Sequence, residues 1–194
     1  MKITRRQFWV LTIISLCMAG IALGLTWHFS TLLPKRFAAV VEGRLYRSGS
    51  VSPEQLTRLH ELYDIRRVIC LLDDQAQITK AEYQAATTLN IEWHNIALPG
   101  DGSSTAEDRQ RILALLKAPS EGATLVHCAA GSNRTGLAIG LYHLHCDGWS
   151  LPQVLEEMRS HGFKDKPHHE NLRQALAREA AIAPHSTPES LPAP

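Results

Sequence analysis

The apolar positions of this chain fall into three patterns. From Gln7 to Pro34 they form a nearly unbroken run that contains no Asp, Glu, Lys or Arg. Further on, short continuous runs such as Arg67–Leu72 (RVICLL) and Ala123–His127 (ATLVH), rich in β-branched residues, predict strands buried on both faces. Between these lie amphipathic stretches with helix-start signals. Ser52-Pro53-Glu54-Gln55 combines an N-cap serine, proline at N1 and glutamine at N3, which predicts a helix to about Tyr63. Helices are also expected over Ala76–Leu89, from a Thr105 cap to Lys117, over Arg134–His145, from a Ser150 cap to His161, and over Pro167–Ala183. Gly43–Ser48 and Ile91–Ala97 complete the strands, and Leu33–Val41 reads as a linker. Strands alternating with helices indicate an α/β domain with a central, mostly parallel sheet flanked by helices. Ligands in such sheets bind beyond the carboxyl ends of the strands.

The N-terminal run changes the picture of the whole chain. A membrane helix needs about 20 apolar residues, and Phe8–Phe29 meets that length. Trp9 and Trp27 stand near its ends, where indole rings favour the interface. Lys2, Arg5 and Arg6 precede it and favour an N-terminus inside, with the following domain outside, on the periplasmic or extracytoplasmic side. The expectation is a single-pass signal anchor over 1–33, a folded domain over 34–183 and a disordered tail over 184–194. Three other readings compete: a cleaved signal peptide with Ala22-Leu23-Gly24 as its small-x-small site, a twin-arginine export signal at Arg5-Arg6, and a buried soluble helix.

The chain has 194 residues and a formal net charge of +1, with no polybasic face for nucleic acid. It holds four cysteines and ten histidines. No C-x-x-C pair is present, and His143, His145, His168 and His169 show no metal-ligand spacing, so neither a metal nor a cofactor is expected. The eleven-residue tail PHSTPESLPAP, which starts at Pro184, has too little apolar surface to fold.

The candidate chemistry lies in HCAAGSNRTG, His127 to Gly136, which joins a buried strand to a helix. A loop there can turn backbone N–H groups inward and seat an anion on the helix N-terminus. Ala129, Ala130 and Gly131 let the backbone curl closely, and Ser132 and Asn133 complete the turn. Arg134 can clamp two oxygens with its planar fork. Cys128, at the base, should be held as thiolate by the same amides and dipole, which makes it a nucleophile toward phosphorus. Thr135 can donate to the sulfur, and His127 is expected to order the loop. The loop lacks the Gly-Lys-Ser/Thr ending of a Walker A site.

This stretch resembles the H-C-x-x-G-x-x-R-[ST]-G motif of cysteine-dependent protein tyrosine phosphatases. With GRLYRSG and SPEQL upstream, RRVICLL in the middle and GWSLPQVLEEM downstream, the chain is similar to the compact dual-specificity-like phosphatases from about Phe37 to Glu179. The resemblance implies Cys128 as nucleophile, Arg134 as phosphate clamp, residues 129–134 as binding loop, and an aspartate on a mobile loop as general acid. Asp101 in LPGDGSS is the choice for that acid, with Asp73 and Asp74 as alternatives. Arg47 in YRSG is either a second anion contact or a structural ion pair.

The resemblance leaves the substrate open among phosphotyrosine or phosphoserine/threonine proteins, small phosphate esters, inositol phosphates and lipid phosphates at a membrane. Inositol phosphate branches often carry lysine after the loop glycine; here that position is Ser132. Cys70 is either the partner of a protective disulfide with Cys128 or an inert core residue. The rival functions are a catalytically silent phospho-binding module and a rhodanese-like sulfurtransferase.

Overall fold

The computed structural model describes residues 33–184 and, ahead of them, residues 5, 9, 11 and 14–20. The chain divides into two units, Met1–Leu33 and Pro34–Pro194.

In the second unit the helix-start signals act as the sequence predicts. Ser52 and Gln55 form a complete capping box for α1 (Pro53–Tyr63). Thr105 with Asp108 does the same for α3 (Ala106–Lys117), and Ser150 with Gln153 for α5 (Leu151–Ser160). The remaining helices are α2 (Gln77–Thr88), α4 (Asn133–Cys146) and α6 (Glu170–Ile182), the last preceded by a 3₁₀ turn at Pro167–His169. Their bounds fall within a few residues of expectation.

The strands are β1 (Ala38–Val41), β2 (Leu45–Ser48), β3 (Ile65–Cys70), β4 (Glu92–Asn95) and β5 (Ala123–His127), in the sheet order β1-β2-β5-β3-β4. β2, β5, β3 and β4 are parallel, and β1 lies antiparallel on β2 at the edge. β1 occupies ground expected to be linker. Its Ala38-Ala39-Val40-Val41 is too short and too alanine-rich to signal a strand, and pairing with β2 makes it one. Arg67 fastens the other side: its guanidinium binds Glu92 and the carbonyls of Leu115, Ala118 and Pro119, tying the end of α3 to the sheet.

α4 is buried from Thr135 to Leu144, on every side, as expected of a helix central to one layer. Gly136 and Gly140 let its neighbours approach: a Cβ at these positions would meet Met158 at 2.9 Å and Val154 at 2.8 Å. Its apolar side joins Ile69, Leu71, Val126 and Cys128 in one core. Buried Leu56, Leu59, Val68, Ala86 and Leu125 lie outside that cluster, on the face covered by α1 and α2.

The N-terminal expectation requires correction. Among the described residues no helix is long and apolar enough to cross a membrane, which overturns the single-pass anchor over 8–29 and the extracytoplasmic placement built on it. Apart from 9, 11 and 14–20, the positions of 8–29 lie outside the described residues, as does the tail from 185 onward.

Candidate active site

The carboxyl ends of the four parallel strands form one row, with Ser48 beside His127, His127 beside Cys70, and Cys70 beside Asn95. Immediately past this row the chain from Cys128 to Asn133 turns and enters α4, so a tight loop sits on a sheet edge and a helix N-terminus together. Gly131 has φ +73°, and a Cβ there would lie 2.6 Å from the Gly49 nitrogen, so only glycine permits this turn.

Cys128 is 2% exposed at the base of the loop. The Gly131 N–H donates to its Sγ at 3.3 Å. Burial pushes the thiol pKa up, but the Thr135 hydroxyl, the Thr135 and Gly131 amides and the Arg134 charge together hold it below the ordinary value. The Thr135 hydroxyl also lies 3.4 Å from the Ser48 carbonyl, so its single proton serves either the carbonyl or the sulfur. Arg134 is anchored through Nη1 alone, to the carbonyls of Leu71 (3.3 Å) and Leu98 (3.1 Å), which leaves Nε and Nη2 for a ligand. Asn133 Nδ2 lies 2.9 Å from His169 Nε2, and His169 Nδ1 donates to the Lys164 carbonyl at 2.8 Å.

The other sequence candidates are distributed differently. Asp101 is exposed on the loop between β4 and α3, where its carboxylate accepts from the Ser103 N–H (2.9 Å), the Ser103 hydroxyl (2.8 Å) and Asn171 Nδ2 (3.4 Å). Those bonds, the Ser103 amide first, hold its pKa below the usual carboxylate range. Asp73 and Asp74 are exposed beyond β3, with Asp73 capping the Gln75 N–H. Arg47 is fully buried and is not presented to an incoming anion: it bonds Glu157 and the Gly131 carbonyl.

His127 is also fully buried, and its ring bond goes to Glu82 on α2 rather than to the loop, with Nε2 2.9 Å from Oε1. Burial alone would lower its pKa, but the nearby Glu82 side chain, with a contribution from Cys70, raises it to about 10. Trp93 Nε1 also donates to Glu82 at 2.8 Å. Sequence reasoning missed Glu82. The available signal was its place on one helix face with Thr79 and Ala86, a lone carboxylate on the buried side. Cys70, Glu82 and His127 bring donor atoms within 4.8 Å of one another and are, among the described residues, the group that could surround a metal. His127 Nε2 is already bonded to Glu82 there.

Cys70 does not face Cys128. It stands in register with His127, and both thiols are free. Of the two readings of Cys70, the strand register favours the inert core residue over the protective disulfide.

This architecture resembles solved phosphatases. The core catalytic domain of PP-IP phosphatase SIW14 from Saccharomyces cerevisiae superposes with a TM-score of 0.64 at 23% identity, over 74% of this chain and 85% of that one. TpbA from Pseudomonas aeruginosa gives 0.58 at 23%, over 74% and 84%. In sequence, the dual specificity protein phosphatase TpbA is 31% identical over 135 residues, 69% of this chain and 56% of that protein. The inositol diphosphatase SIW14 is 25% identical over 134 residues, 67% of this chain and 46% of that protein. The chain thus spans about half the length of these relatives. Residues 31–190 match the tyrosine phosphatase family, enclosing the whole sheet and the loop on its edge, and the chain belongs to that family.

Proposed function

We propose that this chain hydrolyses phosphate monoesters through a phosphoenzyme formed on Cys128. The phosphoryl group fills the cradle, its oxygens taken by the amides of 129–134 and by Nε and Nη2 of Arg134. The thiolate forms an S–P bond as the ester P–O bond breaks, and the leaving oxygen keeps that bond pair and takes a proton from Asp101. Water then attacks phosphorus and gives a proton to the Asp101 carboxylate. The S–P bond breaks, releasing inorganic phosphate, and the Thr135 hydroxyl stabilises the departing thiolate.

Asp101 must leave Ser103 and Asn171 to act in this way, because its bonds there favour the ionised form. Gly100 and Gly102 flank it and give that loop its freedom.

One observation carries the reading: a thiol almost wholly buried is nonetheless held toward thiolate by converging donors. Turnover of p-nitrophenyl phosphate by the full chain tests it. Cys128→Ser should abolish turnover while circular dichroism stays unchanged. Undiminished turnover in that variant would sink the mechanism, and binding without turnover in the wild type would favour a silent phospho-binding module.

The favoured substrates are phosphorylated proteins. The similarity to TpbA supports this, and Ser132 brings no charge for a second phosphate. The similarity to inositol diphosphatases supports inositol phosphates as the second class. Parallel kcat/KM measurements on phosphotyrosine peptides and inositol diphosphates separate the two.

A further inference from the structure

The outer side of the loop is gripped by the first segment of the folded unit. Three successive loop carbonyls each accept from a donor in residues 36–50. The Ser50 N–H takes Ala129 at 3.1 Å, Arg36 Nη1 takes Ala130 at 2.7 Å, and Arg47 Nη2 takes Gly131 at 3.0 Å. Every described peptide bond is trans. A trans peptide sets its carbonyl and the next N–H on opposite sides. Carbonyls 129, 130 and 131 held outward therefore turn amides 130, 131 and 132 inward, and the Gly131 N–H does meet Cys128 Sγ.

Two features make the arginines poor candidates for simple structural ballast. Arg47 is fully buried against Glu157, yet its own Nε and Glu157 Oε2 have no partner. An ion pair with unsatisfied atoms in the interior contributes little net stability, and an apolar side chain of similar size would serve better. Arg36 holds a left-handed backbone, φ +54°, which is strained for a residue with a Cβ. Its guanidinium crosses Gly162 so closely that a Cβ there would lie 2.7 Å from Nε. Backbone strain and a glycine are both used to bring this one cation to the Ala130 carbonyl.

We infer that Arg36 and Arg47 are positioning residues of the oxyanion cradle: by holding carbonyls 130 and 131 outward they aim amides 131 and 132 at the anion and at Cys128. Neither guanidinium touches the substrate. The inference rests on the phosphatase reading of the site, but it concerns the geometry of the loop itself.

The test compares wild type, Arg36→Ala and Arg36→Lys in the full chain, with Arg47→Met/Glu157→Gln as the buried counterpart. Three quantities are read: the pH midpoint of Cys128 alkylation by iodoacetate, inhibition by orthovanadate, and Tm. Arg36→Ala should move the alkylation midpoint upward and weaken vanadate about tenfold, the scale of one lost charge-assisted bond. Tm should change little, because Arg36 is only half-buried. Arg36→Lys, which keeps a cationic donor, should recover most of both losses. The double variant should shift the midpoint in the same direction. An unchanged midpoint and unchanged vanadate inhibition in a folded Arg36→Ala protein would overturn the inference. The alkylation midpoint needs no turnover, so its shift in Arg36→Ala would sustain the cradle geometry even if wild type hydrolysed nothing.

Discussion

Cys70 stands in register with His127, and Cys128 is the next residue along, so the two thiols leave the sheet on opposite faces. Cys128 joins the core around α4, whereas Cys70 lies with Glu82 and His127 beneath α2. Mild peroxide followed by peptide mapping should therefore give no 70–128 crosslink, and Cys70→Ser should leave the rate of oxidative inactivation unchanged. A crosslink formed without unfolding would show that the strand end moves.

Asp101 supplies a second prediction through pH. The rising limb of kcat/KM reports Cys128 losing its proton, and the falling limb reports the general acid losing its own. Asp101→Asn should abolish the falling limb, keep the rising one, and lower kcat by about 10²–10⁴. A bell that keeps both limbs would transfer the role to Asp73 or Asp74.

Gly131→Ala tests the turn itself. The added methyl group meets the Gly49 nitrogen at 2.6 Å and the Ser48 carbonyl carbon at 2.7 Å, on a backbone with φ +73°. Strain of about 1–3 kcal/mol falls directly on the cradle. Activity should drop at least about tenfold, and the alkylation midpoint of Cys128 should rise, in a protein that still folds.

The buried pair predicts a pH dependence of stability with a definite sign. The His127 pKa is raised from its ordinary 6.5 to about 10. Below 6.5 the histidine is protonated whether folded or unfolded, and the pair's contribution is whole. As pH rises the unfolded chain loses its proton first, so the contribution declines until the folded histidine titrates near 10. Urea unfolding at pH 6, 8 and 10 should show this decline in wild type. Glu82→Gln should be less stable by about 3 kcal/mol at pH 6, with a flatter slope.

Much of this fold was legible because its signals are local. Ser52, Thr105 and Ser150 announce three helices within four residues each, and the continuous apolar runs of β3 and β5 announce buried parallel strands. What was not legible depends on partners distant in sequence. β1 is a strand only because β2 lies beside it, and Glu82 is a buried carboxylate only because His127 comes to it. Arg47 in YRSG was open between an anion contact and a structural ion pair, because that segment ends a strand near the loop. Register turns it beneath Gly131, a distinction that spacing along the chain does not contain. The N-terminal run was the reverse case: hydropathy gave a strong local signal for a span that no described helix provides.

The grip of the N-terminal segment on the loop also governs when the site comes into being. Arg36 reaches Ala130 across 94 positions and Arg47 reaches Gly131 across 84. Contacts so distant in sequence close slowly. In a chain still leaving the ribosome these bonds are not yet made, and the cradle proposed around residue 128 forms only when the beginning of the domain closes on it. A fragment starting after Ser50 would keep every letter of the signature from His127 to Gly136 and lose the three donors that hold carbonyls 129 to 131 outward.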